Sequence, residues 1–409
     1  VDLLNIVTGN LDREGGSMFS RPAVDVVKGS AQLATAGHFD RFRSRVRGLP
    51  EFGGELPVAA LAEEIETPGE GQIRALVTSC GNPVLSTPNG RRLEHALTGL
   101  QFMVSIDIYL NETSRHAHII LPPTFALEHD HYDLAFHALA IRNTVKYSPP
   151  WVERTPETRH DWEIFMELAL RIEAAGDLRS ELKTRAKRAV AERLKPRGLI
   201  DLGLRLGPYG RGLGLNPFSK GLSLREVEAR PHGIDLGPLT PCLPDRLYTP
   251  HKRISLAPRV FLEDLDRLRK RALEDGSCSP RRLSLINRRD LRSNNSWLHN
   301  VERLTRGPDQ CTLLMNPGDG AARGLANGAR VKVTSKKGSV EVALELSDEV
   351  MAGVVSLPHG WGHARAGVNL NVAARHPGVS INDLTDDTLL DGLSGTAAFS
   401  GVPVDVTAV

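Results

Sequence analysis

Strand-like and helix-like segments take turns between residues 74 and 121, and this alternation restricts what the chain can fold into more than any other feature. Residues 74–80 (RALVTSC) form a short β-rich run stopped by Gly81-Asn82-Pro83. Thr87-Pro88 then offers an N-cap and first helical position, with Leu93, Ala96, Leu97 and Leu100 following on one helical face. Residues 102–107 (FMVSID) make the next strand, Asn111-Glu112-Thr113-Ser114 a polar turn, and residues 118–121 a third strand that stops at Pro122-Pro123. The order predicts a β-α-β-α-β unit, a parallel sheet whose right-handed crossovers bring the C-terminal ends of its strands to one edge.

Residues 161–172 (DWEIFMELALRI) predict an amphipathic helix that starts on Asp161, and residues 180–194 a basic helix whose charges read as a solvated face. Residues 195–250 are dense in Gly and Pro and are expected to be a loop excursion leading to a linker. From residue 283 the pattern changes to short strands. Residues 329–335 and 339–347 alternate apolar and polar around a Lys337-Gly338 turn, and residues 354–357 form a further strand ending at Pro358-His359-Gly360. Strands this short suggest a small, closed barrel.

The chain has 51 Lys and Arg against 49 Asp and Glu, a net charge of +2, so no global field draws it to nucleic acid or to a membrane surface. No stretch approaches the roughly 20 apolar residues of a membrane helix. Residues 1–10 lack the basic-then-apolar layout of a signal peptide, and a cytoplasmic location is the expectation. Cys80, Cys242, Cys278 and Cys311 lie far apart with no C-x-x-C pair, which argues against a zinc ribbon or a locally ligated iron–sulfur cluster and for reduced thiols. An apolar helical run, Leu3, Leu4, Ile6 and Val7, begins at once after Val1, where termini ordinarily fray. The start is therefore expected to be a cut through a longer polypeptide.

Gly81-Asn82 has the ingredients of a phosphate loop, because glycine lets backbone approach an anion and the following helix N-terminus offers unpaired N–H groups. No G-x-G-x-x-G is present, which disfavours nicotinamide binding, and a plain tight turn is the alternative. Asp107 ends the second strand, where nucleotide-binding sheets place a carboxylate. Its two oxygens match the N1–H and N2–H donors of guanine, while a turn cap for residues 109–113 is the competing role. Glu128-His129-Asp130-His131-Tyr132-Asp133 crowds possible ligands together, but polar loop side chains are commoner than ligands, and no metal site is assigned. Residues 287–300 (NRRDLRSNNSWLHN) carry three arginines, four asparagines, Trp297 and His299. Arginine forks onto phosphate and flat donors line heterocycle edges, so the stretch suits a pyrophosphate joined to a ring system; nucleic acid would call for a broader basic surface. His359-Gly360-Trp361-Gly362-His363 and Ser380-Ile381-Asn382-Asp383-Leu384-Thr385 are turns suited either to closing over a ligand or to forming barrel corners.

Read together, GNPVLSTPNG, FMVSIDIYLNETSRHAHIILPP, LINRRDLRSNNSWLHN, the hairpin leading to PHGWG, and INDLT resemble molybdopterin oxidoreductases of the dimethyl sulfoxide reductase superfamily, especially formate dehydrogenase-like and assimilatory nitrate reductase-like members. The resemblance implies an α/β fold: a parallel-sheet dinucleotide-binding domain followed by a six-stranded double-psi β-barrel. It implies the end of a preceding domain over 1–30, an α/β molybdopterin guanine dinucleotide-binding domain with a helical and loop excursion over 31–245, and the barrel domain over 246–409. Gly81 and Asn82 resemble the turn near the guanosine, Asp107 the nucleoside carboxylate, Asp161 a helix-start aspartate contacting the same nucleotide, and His129 a basic residue after the strand-ending proline. Asn287, Arg288, Arg289, Asp290, Arg292, Ser293, Asn295, Ser296 and Trp297 match the loop that wraps pterin and pyrophosphate, with His299 at its far edge. Asn382 matches a C-terminal asparagine of the cofactor site.

The family's cofactor is a molybdenum or tungsten ion held by two molybdopterin guanine dinucleotides, with a 4Fe-4S cluster in the part upstream of what corresponds to Val1. The metal ligand lies upstream as well, so no catalytic residue is assigned here. The expected function is two-electron redox chemistry at molybdenum, formate dehydrogenase-like, with nitrate as the alternative substrate and a non-catalytic dinucleotide-binding module or carrier as the alternative role. The expected partners are a small-molecule substrate, the N-terminal half of the same enzyme and an electron-transfer partner, with no nucleic acid and no membrane span.

Overall fold

The structure is a computed structural model and describes residues 1–32, 37–174, 178–212, 221–274 and 282–409; Cys278 lies outside the described residues. Two compact units emerge, one from Val1–Ala36 with Pro123–Arg269 and the other from Gly37–Pro122 with Lys270–Val409.

In the first unit the opening apolar run is helical over Asp2–Val7 but buries none of its residues. The helix starting on Asp161 runs over Asp161–Ala174. The loop expected from residue 195 is corrected: after a kink at Lys195-Pro196, helix Leu178–Leu206 continues for three turns, and a short helix, Leu224–Glu228, follows. Packing explains the error. Leu204 is wholly buried in a cluster with Ala23, Val145, Tyr147, Leu224 and Val227, and Ile200 packs against it one turn earlier. The glycines that read as loop signals serve close approach, since a Cβ on Gly207 would run into the Ala23 carbonyl and one on Gly203 into the Val24 side chain. Tertiary contact overrides local propensity here.

The second unit holds the predicted sheet. Strands β1 (Ala75–Ser79), β2 (Phe102–Ile106) and β3 (Ile119–Ile120) form a three-stranded parallel sheet in that order. The crossover from β1 to β2 carries helix Gly90–Leu97, whose Leu93, Ala96 and Leu97 pack on Met103, Val84 and Ile65. The second crossover departs from the expected α-helix and contains only a 3-10 turn, Ser114–His116. Asn111 is the reason. Its side-chain oxygen accepts the N–H groups of Thr113 and Ser114, both at 2.9 Å, closing the chain into a tight polar turn where a helix would otherwise begin.

The barrel is closed and six-stranded. It comprises β4 (Leu283–Arg288), β5 (Thr312–Met315), β6 (Arg330–Thr334), β7 (Ser339–Leu346), β8 (Val354–Pro358) and β9 (Val402–Ala408), in the order β6-β7-β5-β8-β4-β9. The β7–β5 and β8–β4 pairs are parallel and the others antiparallel. Alternate residues point inward, so Leu285, Leu313, Val333, Val355, Leu357 and Val404 are completely buried. This is the barrel that the sequence led one to expect.

Charged side chains tie the helix beside the sheet to the segment after the barrel's long loops. Arg91 pairs with Asp383 at 3.0 Å, Arg92 with Asp387 at 2.6 Å, and Lys337 with Asp386 and Asp387 at 3.0 and 2.9 Å. Burial alone would raise the Asp387 carboxyl, but a hydrogen bond from Asn89 and the Lys337 and Arg92 charges outweigh it and bring it to about 2. A folded-state value below the unfolded one means that this stability is present above about pH 4 and is lost as pH falls through the folded value. Asp387→Asn should therefore remove about 2 kcal/mol at pH 7 and flatten the stability profile between about pH 4 and pH 2, as read by urea denaturation across that range. Leu313→Ala, which empties a wholly buried site in the barrel, should lower stability by about 2–5 kcal/mol in the same assay.

Candidate functional site

The turns after β1 and β2 meet at the edge where the strands end. Cys80, in the left-handed region at φ 51°, donates its N–H to the Ile106 carbonyl at 2.9 Å, which sets the Gly81-Asn82 turn beside Asp107. Asp107 is 1% exposed. Its oxygens accept the Tyr109 N–H and the Asn111 amide, both at 2.9 Å, so the turn-capping role is realised. Burial pushes its carboxyl up against these hydrogen bonds.

From Asn82 a continuous buried path of hydrogen bonds runs to the loop that follows β4. The Val84 N–H donates to the Thr113 hydroxyl at 3.0 Å, and that hydroxyl donates to the Asn82 carbonyl oxygen at 2.8 Å. The Asn82 amide donates to Glu112 Oε2 at 2.6 Å. Glu112 Oε1 meets His363 Nδ1 at 2.8 Å, and His363 Nε2 meets His299 Nδ1 at 2.9 Å. The Glu112 and His363 side chains have no exposure at all. His299 stacks on Trp361 with 3.9 Å between ring centroids, and burial, reinforced by His363, pushes its pKa down to about 3. In the sequence Glu112 stands only as part of a polar turn and His363 only within a turn suited to closing over a ligand or forming a barrel corner, with no role of its own assigned to either. Their only local signals are an acid inside a polar turn and a histidine after a Gly-Trp-Gly corner.

The other sequence candidates are placed as follows. Arg288 turns into the barrel, where its guanidinium donates to the carbonyls of Ser356, Gln310 and Thr312 at 2.7–3.0 Å. Burial lowers its pKa. Arg289 is exposed and donates to Asn295 Oδ1 at 2.6 Å. Asp290 accepts the Arg292 N–H at 2.6 Å and, through its carbonyl, the buried Ser293 hydroxyl at 3.0 Å. Arg292 is exposed, Ser296 buried and Trp297 half-buried. Asn382 is wholly buried, its amide donating to the Leu85 carbonyl at 2.7 Å, which joins it to the turn after Asn82. Asn82, Asp107, Asn382, His299 and the 287–297 loop thus belong to one unit. His129 and Asp161 belong to the other unit, where His129 Nδ1 lies 3.0 Å from the Asp130 carbonyl and Asp161 opens its helix. The acids around His129 are engaged structurally, Glu128 with Thr155 and Phe125, Asp130 with Tyr147 and Asp133 with the Phe136 N–H.

Two family models match this chain. One, described as molybdopterin oxidoreductase, matches residues 1–171, and one described as a molydopterin dinucleotide binding domain matches residues 283–403. The chain belongs to the molybdopterin oxidoreductases of the dimethyl sulfoxide reductase superfamily. It is similar to the assimilatory nitrate reductase catalytic subunit of Bacillus subtilis (29% identity, covering 34% of this chain and 20% of the relative). It is also similar to the F420-dependent formate dehydrogenase subunit alpha of Methanocaldococcus jannaschii (28%, covering 41% and 25%). Acetylene hydratase from Pelobacter acetylenicus shares the fold with a TM-score of 0.61 and 18% identity, over 86% of this chain and 46% of that one. The chain spans less than half the length of the relatives it matches.

Molybdopterin guanine dinucleotide with molybdenum is the cofactor that these family models carry with them, and the residues present fit such a group. The Asn287 side-chain oxygen, His359 Nδ1 and Ser380 Oγ are buried without a hydrogen-bond partner. Buried polar atoms are seldom left so, and a ligand rich in N–H groups and carbonyls would satisfy them. His359 adjoins the 287–300 loop, its N–H donating to the Arg288 carbonyl at 3.1 Å. Among the described residues no helix is long and apolar enough to cross a membrane.

Burial, reinforced by the Arg289 charge, brings His359 down to about 4. The unfolded chain takes up that proton near pH 6.5, so stability should rise with pH between about 4 and 6.5. His359→Gln should reduce that slope by up to about 1.4 kcal/mol per pH unit, measured as denaturant midpoints at successive pH values.

Proposed function

We propose that this chain is the dinucleotide-gripping part of a longer or split cytoplasmic molybdenum enzyme for two-electron redox chemistry, with formate as the favoured substrate and nitrate as the alternative. The observation that carries the reading is the unbroken buried path from Asn82 at the sheet edge to His299 beside the barrel. It makes one rigid body of a nucleotide-type turn and an arginine-bearing loop. Support for formate is the match to a formate dehydrogenase relative over 41% of the chain; the nitrate reductase match supports the alternative. The remaining partners of this reading are the enzyme's N-terminal half, with its metal ligand and 4Fe-4S cluster, and an electron-transfer protein.

When bound, the cofactor supplies the redox-active metal and its pterin ligands. This chain's residues bind and orient. Asp107, at the strand end beside the Gly81-Asn82 turn, keeps acceptor capacity beyond its bonds to Tyr109, Asn111 and the Ile108 N–H and is the group for the guanine donors. Arg289 and Arg292, both exposed, offset phosphate charge. Arg288 acts at one remove, anchoring the base of their loop to three barrel carbonyls.

The test is guanosine diphosphate binding to the 409-residue chain by calorimetry. Asp107→Ala and Arg289→Ala should each weaken binding at least tenfold, about 1.4 kcal/mol. Affinity unchanged in both variants would sink the proposal.

A further inference from the structure

The direction of every hydrogen bond on the buried path can be worked out from its fixed donors and acceptors. A backbone N–H can only donate, so the Thr113 oxygen accepts from Val84; the Glu112 carboxylate can only accept, so the Asn82 amide turns its NH₂ to it and its Oδ1 to the Thr113 hydroxyl, which donates. Glu112 therefore accepts from Asn82. As a carboxylate it also accepts from His363, whose Nδ1 must carry a hydrogen. In the state with both rings neutral, His363 Nε2 is a bare acceptor, His299 Nδ1 donates to it, and His299 Nε2 is left as a lone pair.

Adding one proton at His299 Nε2 changes this arrangement by a single exchange. The N–H bond at His299 Nδ1 breaks and one forms at His363 Nε2. His299 stays neutral with its hydrogen on Nε2, and the positive charge rests on His363 against Glu112. Within the chain one N–H bond breaks and one forms; the added proton comes, at the buried, unpartnered His299 Nε2, from a ring N–H of the bound heterocycle, which keeps the displaced negative charge. The positive charge lands on His363 because His299 has only neutral or cationic company, with Trp361 stacked on it and His359 and His363 as its charge-bearing neighbours. On the Glu112 side, Arg115 lies close, but its guanidinium is engaged by Glu94 and by the Ala366 carbonyl, leaving the carboxylate to His363 and Asn82.

We infer that Glu112, His363 and His299 form a buried one-proton relay, in which a carboxylate near the sheet edge sets, through two imidazoles, whether the His299 face of the barrel loop presents an acceptor or a donor to a bound heterocycle. Glu112 and His363 are positioning residues in this scheme; neither needs to touch the ligand. The value of the relay to a redox enzyme rests on the function proposed above, because two-electron chemistry generally moves protons with its electrons. The relay itself is read without any cofactor, so its failure and the failure of guanine-nucleotide binding are separate results.

The experiment is side-chain ¹⁵N NMR of the histidine-labelled 409-residue chain, with His299 and His363 assigned by His→Gln variants. At pH 8 both rings should carry their hydrogen on Nδ1. Glu112→Gln keeps the shape but turns an NH₂ toward His363, so both rings should switch to the Nε2–H tautomer, whereas Glu112→Asp should leave them on Nδ1. An unaltered His299 tautomer in Glu112→Gln overturns the relay, since a merely structural carboxylate would not set a ring two bonds away. If Glu112→Gln does not fold, the ring tautomers of the unmutated chain at pH 8 decide. Both rings with their hydrogen on Nδ1 support the relay, and an Nε2–H tautomer at either ring overturns it.

Discussion

A carboxylate with no contact with water must have each oxygen answered by a donor, and Glu112 meets that condition with groups from two distant parts of the chain. Asn82 comes from the turn after β1, and His363 comes from a corner 251 residues beyond Glu112 itself. Stranding such a charge costs several kcal/mol, and removing one partner of a buried pair is strongly destabilising. The requirement therefore acts as a geometric lock. The sheet edge and the barrel corner have little freedom to shift independently while Glu112 holds both partners, so the groups mounted on them, Asp107 on one side and the 287–300 loop on the other, share one frame.

The surface ion pairs around the same junction act differently. Arg91 is more than half exposed and its pair with Asp383 contributes little. Asp387 is nearly buried and collects Asn89, Arg92 and Lys337 at once, which is why its carboxyl lies so far below the ordinary range. The helix Gly90–Leu97 is thus held by apolar packing on its inner face and by one well-surrounded carboxylate at its flank.

Much of this was legible in the sequence, and the unread part has a physical pattern. The parallel sheet, the meeting of Asn82 and Asp107 at one edge, and the hairpin of β6 and β7 follow from apolar periodicity and turn residues, both of which are local. Gly203 and Gly207 misled, because a glycine needed for close helix packing and a glycine needed for a loop look alike in a sequence. β9 was missed although Val402, Val404 and Val406 alternate faithfully inward. Glu112 and His363 were out of reach for another reason. Their meaning lies in a pairing across 251 residues, and no spacing rule within one chain reports such a contact. Arg288 shows the same limit: beside Arg289 and Arg292 it reads as one of three equal donors, and only the fold turns it inward to three carbonyls.

The loop itself shows how shape and chemistry combine. Asn294 and Asn295 both adopt left-handed backbone, at φ 39° and 58°, a conformation asparagine tolerates better than most residues. The bend brings the Asn295 carbonyl against Gly360, where any Cβ would collide with it. Gly360 is itself at φ 87°, so both its backbone angle and its lack of a side chain are required. His359 and Trp361 flank this glycine, one with an unpartnered buried nitrogen and the other stacked on His299. The close approach that Gly360 permits therefore brings the polar loop down onto the aromatic and imidazole groups of the barrel corner. Without it the Asn294-Asn295 bend could not lie against the barrel corner that carries Trp361 and His363.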